Sequence, residues 1–399
     1  VDTWAALRPP GRALGVVVFL VVSPRLPSMS LVGCGSAFSL SECPLPRYSR
    51  PMKKIRVGVI GFGLSGKVFH ARVLSSVPGF ELATVVTSRA KEVREEFPAT
   101  GVVSSAQELL DDPSIDLVVI TTPNELHAPL AVSALEAGKH VVVEKPFVVT
   151  SAEGRAVVEC AKRMNRVLSV YHNRRWDNGF LTLRRAIDEG RLGKIYLYEA
   201  RFERFRPTTR SERWREQPHG GSGVLFDLGS HLIDQALSLF GKPQGVYCDL
   251  AAQRPGSVVD DYFHVLMDYG DLRVVLASGC VVGVPGPVLS VHGDKGTFIK
   301  RSLDPQEDAL KEGLSPDTVD SWGLDGDEAQ LFVSSETGVA TPLPYPTIPG
   351  SYHHFYEGVY SAIVEGAASP VSGDDGVAVI EIVEACLRSN TERRWVALS

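Results

Sequence analysis

Asp227, His231 and Asp234 stand at i, i+4 and i+7 in the run Leu225-Phe226-Asp227-Leu228-Gly229-Ser230-His231-Leu232-Ile233-Asp234. In a helix that spacing puts all three on one face. A carboxylate beside an imidazole suits general acid–base work, because imidazole changes charge near neutral pH. The same spacing equally describes an ion pair on a solvated helix surface. A metal is disfavoured, since no further ligand stands close in sequence. A second chemistry, phosphate binding, is written in Gly61-Phe62-Gly63-Leu64-Ser65-Gly66, which reads G-x-G-x-x-G. Gly61 permits a tight turn, Gly63 lets the backbone approach a pyrophosphate, and Gly66 lets a helix pack closely on a strand. The opening helix would offer free N–H groups to that pyrophosphate, with Phe62 and Leu64 lining the turn.

These residues need elements to hold them. The apolar, β-branched run 55–60 reads as a buried strand, and an amphipathic segment follows the glycines to about Val77. Further strands are expected at 82–87, 102–103, 117–120, 140–143 and 167–171. Helices are expected from Ala106, from His127 to Ala137, and from a Thr150-x-x-Glu153 capping box to about Met164. Strands alternating with helices at this spacing mean a parallel, doubly wound sheet, whose ligands bind at the carboxyl ends of the strands. Thr121, Pro123 and Asn124, then Glu144 and Lys145, then Asn173 and Arg174 all fall at those ends.

The second strand also bears on the choice of dinucleotide. An NAD-specific domain places an acid at the carboxyl end of that strand, to hold the ribose 2′-OH. Here the strand ends in Ser88-Arg89-Ala90-Lys91, and the nearby acid, Glu81, sits at its amino end. Ser88 can donate to a 2′-phosphate and Arg89 can meet it with a charged fork, so NADP is the expected cofactor.

The chain has 399 residues, enough for two domains, and a net charge of −6 with no block of like charges. That argues against a nucleic-acid or anionic-membrane partner, and no apolar run is long enough to span a bilayer. The six cysteines include no C-x-x-C pair, which suggests free thiols in a reducing cytoplasm. Residues 1–51 differ in composition, being rich in Pro, Ser and Arg around one apolar run, 13–22. Two readings stand: an export signal, or a misplaced start ahead of Met52, which directly precedes the first strand. The second is preferred, because a charge and two prolines separate the apolar run from any cleavage box.

After Asp177 the pattern changes to strands at 195–202, 245–250, 264–268, 272–278 and 288–292 with little helix between them, an α+β domain with a large, mostly antiparallel sheet. The expected fold is thus α/β followed by α+β: an extension at 1–51, a Rossmann domain at 52–172 and a substrate-binding and oligomerisation domain at 173–399.

Gly61-x-Gly63-x-x-Gly66, Glu144-Lys145-Pro146 and Asp227-x-Gly229-x-His231-x-x-Asp234 occur together and in order. From Met52 to its end the chain resembles the glucose–fructose oxidoreductase / inositol dehydrogenase (Gfo/Idh/MocA) family. The runs His172–Asp177, Arg204–Pro207, Arg213–Glu216 and Leu303–Glu307 further resemble a bacterial subgroup of NADP-dependent scyllo-inositol dehydrogenases. The resemblance implies hydride transfer between NADP and a small polyol or sugar. It implies His231 as the base, Asp227 orienting its ring or sharing the substrate contact, and Lys145 donating to the substrate oxygen. It implies Glu144 on the nicotinamide ribose, with Asn124 and His127 flanking the nicotinamide, unless His127 simply caps its helix. Asn173 and Arg174 would touch substrate or cofactor, with a plain ion pair as the equal alternative for Arg174. Trp214 and Arg215 lie on a polar loop of the kind that binds ligands, with core packing as the alternative for Trp214. A homodimer or homotetramer is expected. The rivals are an enzyme for another sugar, dihydrodiol or diketone, and a dinucleotide-binding sensor without turnover.

Overall fold

A computed structural model describes residues 53–210, 214–335, 337–338 and 340–398. The two readings of residues 1–51 lie outside the described residues.

The first half alternates as expected. Its strands are β1 (Ile55–Ile60), β2 (Phe80–Val86), β3 (Gly101–Val103), β4 (Leu117–Ile120), β5 (His140–Val143) and β6 (Leu168–Val170). The intervening helices are α1 (Arg72–Ser75), α2 (Ala90–Glu96), α3 (Ala106–Leu110), α4 (His127–Glu136) and α5 (Ser151–Met164). All six strands run parallel in the order β3-β2-β1-β4-β5-β6. β4 is buried along its whole length, as is most of β1, which is why both read as continuous apolar runs. The Thr150/Glu153 capping box forms and starts α5. One departure matters later: the segment after the glycines, Ser65–Ala71, is wound as a π-helix before it continues into α1.

The second half holds α6 (Asn178–Asp188), β7 (Ile195–Arg201), α7 (Ser230–Phe240), β8 (Gly245–Ala251), β9 (Tyr262–Tyr269), β10 (Leu272–Gly279), β11 (Leu289–Gly293) and β12 (Gly296–Lys300). Then follow α8 (Gln306–Lys311), β13 (Gln330–Ser334), β14 (Ala340–Pro344), α9 (His353–Val364), α10 (Gly373–Glu392) and β15 (Val396–Ala397). Nine strands form one sheet in the order β14-β13-β12-β11-β7-β10-β9-β8-β15, antiparallel throughout except between β7 and β10.

This half is more helical than the strand pattern suggested. The 20-residue α10 opens with a capping box of its own, Ser372 with Asp375, and packs on α5 of the first sheet and on β8 of the second. Close approach explains its glycines: a Cβ on Gly373 would fall 2.7 Å from Leu168, and one on Gly376 would fall 2.7 Å from Val170. Just before α10, Ser372 bridges Ser169 on β6, so the C-terminal segment borders the parallel sheet.

Candidate active site

The carboxyl edge of the parallel sheet opens onto a cleft of about 780 Å³ between the two sheets' loops. The glycine turn lies at one end. Gly61 adopts φ +100°, a left-handed conformation suited to glycine, and a Cβ there would fall 2.8 Å from the Thr121 hydroxyl. A Cβ on Gly66 would fall 2.3 Å from the Gly61 carbonyl. Gly63 differs, because a Cβ there meets nothing within 4 Å, so its backbone is open to close approach by a ligand. Thr121 ties the turn to β1 by donating to the carbonyls of Ile60 and Gly61 at 3.1 and 3.0 Å. Past the end of β2, Ser88 and Arg89 are exposed, and the Arg89 guanidinium reaches back over the turn to the Phe62 carbonyl at 3.5 Å. An open backbone with a cationic arm above it fits the phosphates of a dinucleotide.

Lys145, Asp227 and His231 all line the cleft, with Leu64, Glu144, Asn173, Arg174, Trp214 and Arg215. Lys145 Nζ donates to the Asp227 carbonyl at 2.7 Å and to Asp227 Oδ1 at 3.0 Å. Arg215 approaches the same oxygen at 3.5 Å, with its guanidinium stacked over Trp214. Trp214 is half-buried at the cleft wall rather than part of the core. Burial pushes the Asp227 carboxyl up, but Lys145, Arg215 and Arg204 outweigh burial and hold it well below the ordinary carboxylate range. Burial pushes His231 the other way, and Lys145, Arg174 and His172 reinforce it, so the imidazole is neutral far below its usual 6.5. Its Nδ1 is buried with no hydrogen-bond partner among the described residues.

Asp227 and His231 both line the cleft, whereas Asp234 does not. Asp227 sits in a second π-wound segment, Leu225–Gly229, that runs into α7 and shifts its phase against the residues that follow. Asp227 meets Lys145, with no hydrogen bond to His231 among the described residues. Asp234 is buried and held by the Arg175 fork at 2.9 and 2.7 Å, outside the cleft.

Two further expectations change. His127 is buried, with Nδ1 2.9 Å from the Pro146 carbonyl and Nε2 2.9 Å from the Thr122 carbonyl. It braces the turn that carries Lys145 and does not line the cleft. Asn124 donates to the Gly221 carbonyl at 2.8 Å and likewise holds a loop. Arg174 pairs with Glu307 at 2.6 Å and Asp177 at 3.2 Å while lining the cleft, so the ion-pair alternative describes its guanidinium ends, and its Nε has no hydrogen-bond partner among the described residues. The Asn173 side chain makes no hydrogen bond to the described protein.

Five further residues, His70, Tyr356, Arg204, Asp260 and Asp304, bear on the site without a motif that marks them. Burial pushes the Asp260 carboxyl to about 6. Burial, then the neighbouring Asp177, pushes Asp304 to about 7. Both line the cleft. Ser65 and His70 converge on one oxygen of Glu144. Residues five apart point well away from each other in an α-helix, and the i→i+5 winding brings them together, so α-helical periodicity could not reveal the pair.

Residues 55–172 match the oxidoreductase family NAD-binding Rossmann fold, and residues 184–398 match the C-terminal alpha/beta domain of the same family, Gfo/Idh/MocA. The chain is 42% identical over 350 residues to scyllo-inositol 2-dehydrogenase (NADP(+)) IolW of Bacillus subtilis, an alignment covering 88% of this chain and 97% of that one. It is 28% identical to levoglucosan dehydrogenase of Pseudarthrobacter phenanthrenivorans, with 86% and 98% covered. Among solved structures, the yvaA protein from Bacillus subtilis superposes with a TM-score of 0.85 at 41% identity, covering 88% of this chain and all of that one.

Proposed function

The chain belongs to the Gfo/Idh/MocA oxidoreductase family, and from that premise we propose that it is an NADP-dependent dehydrogenase of cyclic polyols or sugars, with scyllo-inositol as the first candidate, oxidised to a keto-inositol. The observation that carries this reading is the Lys145–Asp227 contact beside a neutral, buried His231, at the edge where the glycine turn lies. A nicotinamide bound there would take the hydride from the carbinol carbon.

The rest of the chemistry belongs to the chain. His231 takes the hydroxyl proton at Nε2, because its imidazole is kept in the basic form by burial and by the cations around it. Lys145 has three N–H donors, of which two are used on Asp227, and the third donates to the substrate oxygen as negative charge develops there. Asp227 stays ionised and holds the ammonium in place. Glu144 accepts from ribose hydroxyls, and Asn173 is free to bond a ring hydroxyl. Ser88 and Arg89 meet the 2′-phosphate.

The same reading takes the protein as a homodimer or homotetramer. Its support is the outward face of the second sheet, where half-buried Tyr247, Leu266 and Val275 lie abreast across β8, β9 and β10. Light scattering of the purified protein tests this.

For activity, inositol isomers, aldoses and levoglucosan are offered with NADP+ and with NAD+, and the absorbance of reduced nicotinamide is followed. The highest kcat/KM is expected with scyllo-inositol and NADP+. Turnover confined to another sugar replaces the substrate. Dinucleotide binding without turnover on any compound favours the sensor.

A further inference from the structure

His70 is fully buried between the glycine turn and the C-terminal helices. Its Nδ1 meets the hydroxyl of Tyr356 on α9, and its Nε2 lies 3.0 Å from Glu144 Oε1. The ring of Tyr171 covers it at 4.2 Å between centroids. Ser65 donates to the same Glu144 oxygen, and the Lys145 backbone N–H donates to Oε2 at 2.8 Å. Glu144 lines the cleft, whereas His70 and Tyr356 do not.

We propose that His70, backed by the Tyr356 hydroxyl, is a positioning residue for nicotinamide binding: it holds the Glu144 carboxylate ionised and aimed at the ribose hydroxyls of the dinucleotide. The inference rests on the nicotinamide reading of the cleft and reaches past it, because it makes a residue 286 positions away in sequence from His70 part of cofactor affinity. Burial alone pushes Glu144 up; the His70 bond and charge, then Lys145 and Ser65, outweigh it and hold the carboxyl at about 2. The titratable groups facing Glu144 are His70, Lys145, Tyr171, Tyr356 and, through its charge, His127 on α4. Without the His70 donor only Lys145 and Ser65 are left to oppose burial and the carboxyl pKa rises, and an acid that binds its own proton is a poorer acceptor.

The test is a fluorescence titration of NADPH, or of NADH if it binds more tightly, against the full chain between about pH 5.5 and about pH 8.5. Reading the ratio of variant to parent Kd cancels the titration of the cofactor's own phosphates. For His70→Phe the ratio is expected to be about tenfold or more at the acid end and to shrink as pH rises. His70→Gln, whose amide can still donate, stays within about threefold at every pH. In the double variant His70→Phe/Glu144→Gln the pH dependence of the ratio disappears. A flat ratio for His70→Phe, or a pH dependence that survives in the double variant, overturns the proposal. If circular dichroism shows His70→Phe unfolded, Tyr356→Phe decides: a smaller ratio that falls with rising pH supports the inference and a flat one overturns it. If the parent protein binds neither dinucleotide, the nicotinamide reading falls and this inference with it.

Discussion

The glycine turn after β1 and the Lys145–Asp227–His231 group lie along one edge of the parallel sheet, yet they are made by different means. The turn works by what it leaves out. Gly61 and Gly66 omit side chains that would strike Thr121 and the Gly61 carbonyl, and Gly63 leaves its backbone uncovered. Its parts stand within six residues, and its cationic arm, Arg89, is in solvent. The Lys145–Asp227–His231 group works by accumulation. It draws on residues 82 positions apart, and each of its charges sets the state of the others: Lys145 holds Asp227 ionised and helps keep His231 neutral. A change in the turn should therefore act on fit and stay local, and a change in the reacting group should act on ionisation and spread.

The sharpest way to break that contrast is to remove the reacting side chains. Lys145→Ala and His231→Ala are each expected to lower kcat by about a hundredfold or more while dinucleotide Kd stays within about threefold. Single-turnover and binding titrations separate the two quantities. A matching loss of cofactor affinity would mean that the two regions are one unit, and near-normal turnover would point to another route for the proton.

The turn is tested by size. Gly66→Val puts atoms within van der Waals contact of the Gly61 carbonyl, so a loss of about 2 kcal/mol in stability is expected, read as a lower Tm. Gly63→Ala has room for its methyl, so its Tm should hold while dinucleotide Kd weakens about tenfold, the cost of blocking close backbone approach. Equal falls in Tm for both variants would make Gly63 a structural glycine.

Ionisation offers a finer test. His231 is pushed below 6.5 by burial first and Lys145 second. The basic form therefore persists as pH falls through 6.5, and the acid limb of kcat/KM for alcohol oxidation is expected below that pH. Removing the Lys145 charge lets the pKa rise, so the residual activity of Lys145→Ala should show its acid limb shifted upward. Stability follows the same sign. Below 6.5 the unfolded chain binds a proton that the folded imidazole refuses, so the His231 contribution to stability is complete above that pH and declines as the solution becomes more acidic. An acid limb that does not move in Lys145→Ala would show the two groups to be electrostatically independent.

What could be read from residues alone follows the same divide. The β1 strand, the glycine turn, the α5 capping box and the alternation of strands with helices are local patterns, and the fold follows them. Lys145, Asp227 and His231 were legible as motifs, and they share the cleft. Their mutual geometry was not legible. Two π-wound segments, Ser65–Ala71 and Leu225–Gly229, break the 3.6-residue period on which face assignments depend. That is why the convergence of Ser65 and His70 on Glu144 was not legible. Asn124 and His127 sit at strand ends as expected, but contacts with the carbonyl of Gly221 for Asn124, and with those of Pro146 and Thr122 for His127, turn them inward. The Ser372–Asp375 capping box was a local signal of α10 that the strand pattern obscured.

The smallest expected effect concerns Arg89, at the exposed end of the turn. No acid stands at the carboxyl end of β2 to hold a ribose 2′-OH, and Glu81 pairs with Arg56 near the other end of the strand. Lys91 is engaged weakly with Glu95 at 3.8 Å, so it is available only as a diffuse charge. Arg89 is different, because its guanidinium, though exposed, already reaches the Phe62 carbonyl and so stands beside the turn. A 2′-phosphate placed there would meet a charged fork from Arg89 and the hydroxyl of Ser88, and a bare 2′-OH would leave the fork poorly matched. A preference for NADP+ over NAD+ of at least about tenfold in kcat/KM is expected, which needs only about 1.4 kcal/mol of discrimination. Arg89→Ala should erase most of it by weakening NADP+ and leaving NAD+ nearly unchanged, and raising the salt concentration should erode it in the parent enzyme, since the pair is open to solvent. Because the turn acts locally, the same variant should leave the acid limb of the pH profile where it was. A parent enzyme that prefers NAD+, or an Arg89→Ala variant with the parent's ratio, would remove Arg89 from cofactor choice. A shift of the acid limb would instead show that charge at the dinucleotide end is felt at His231.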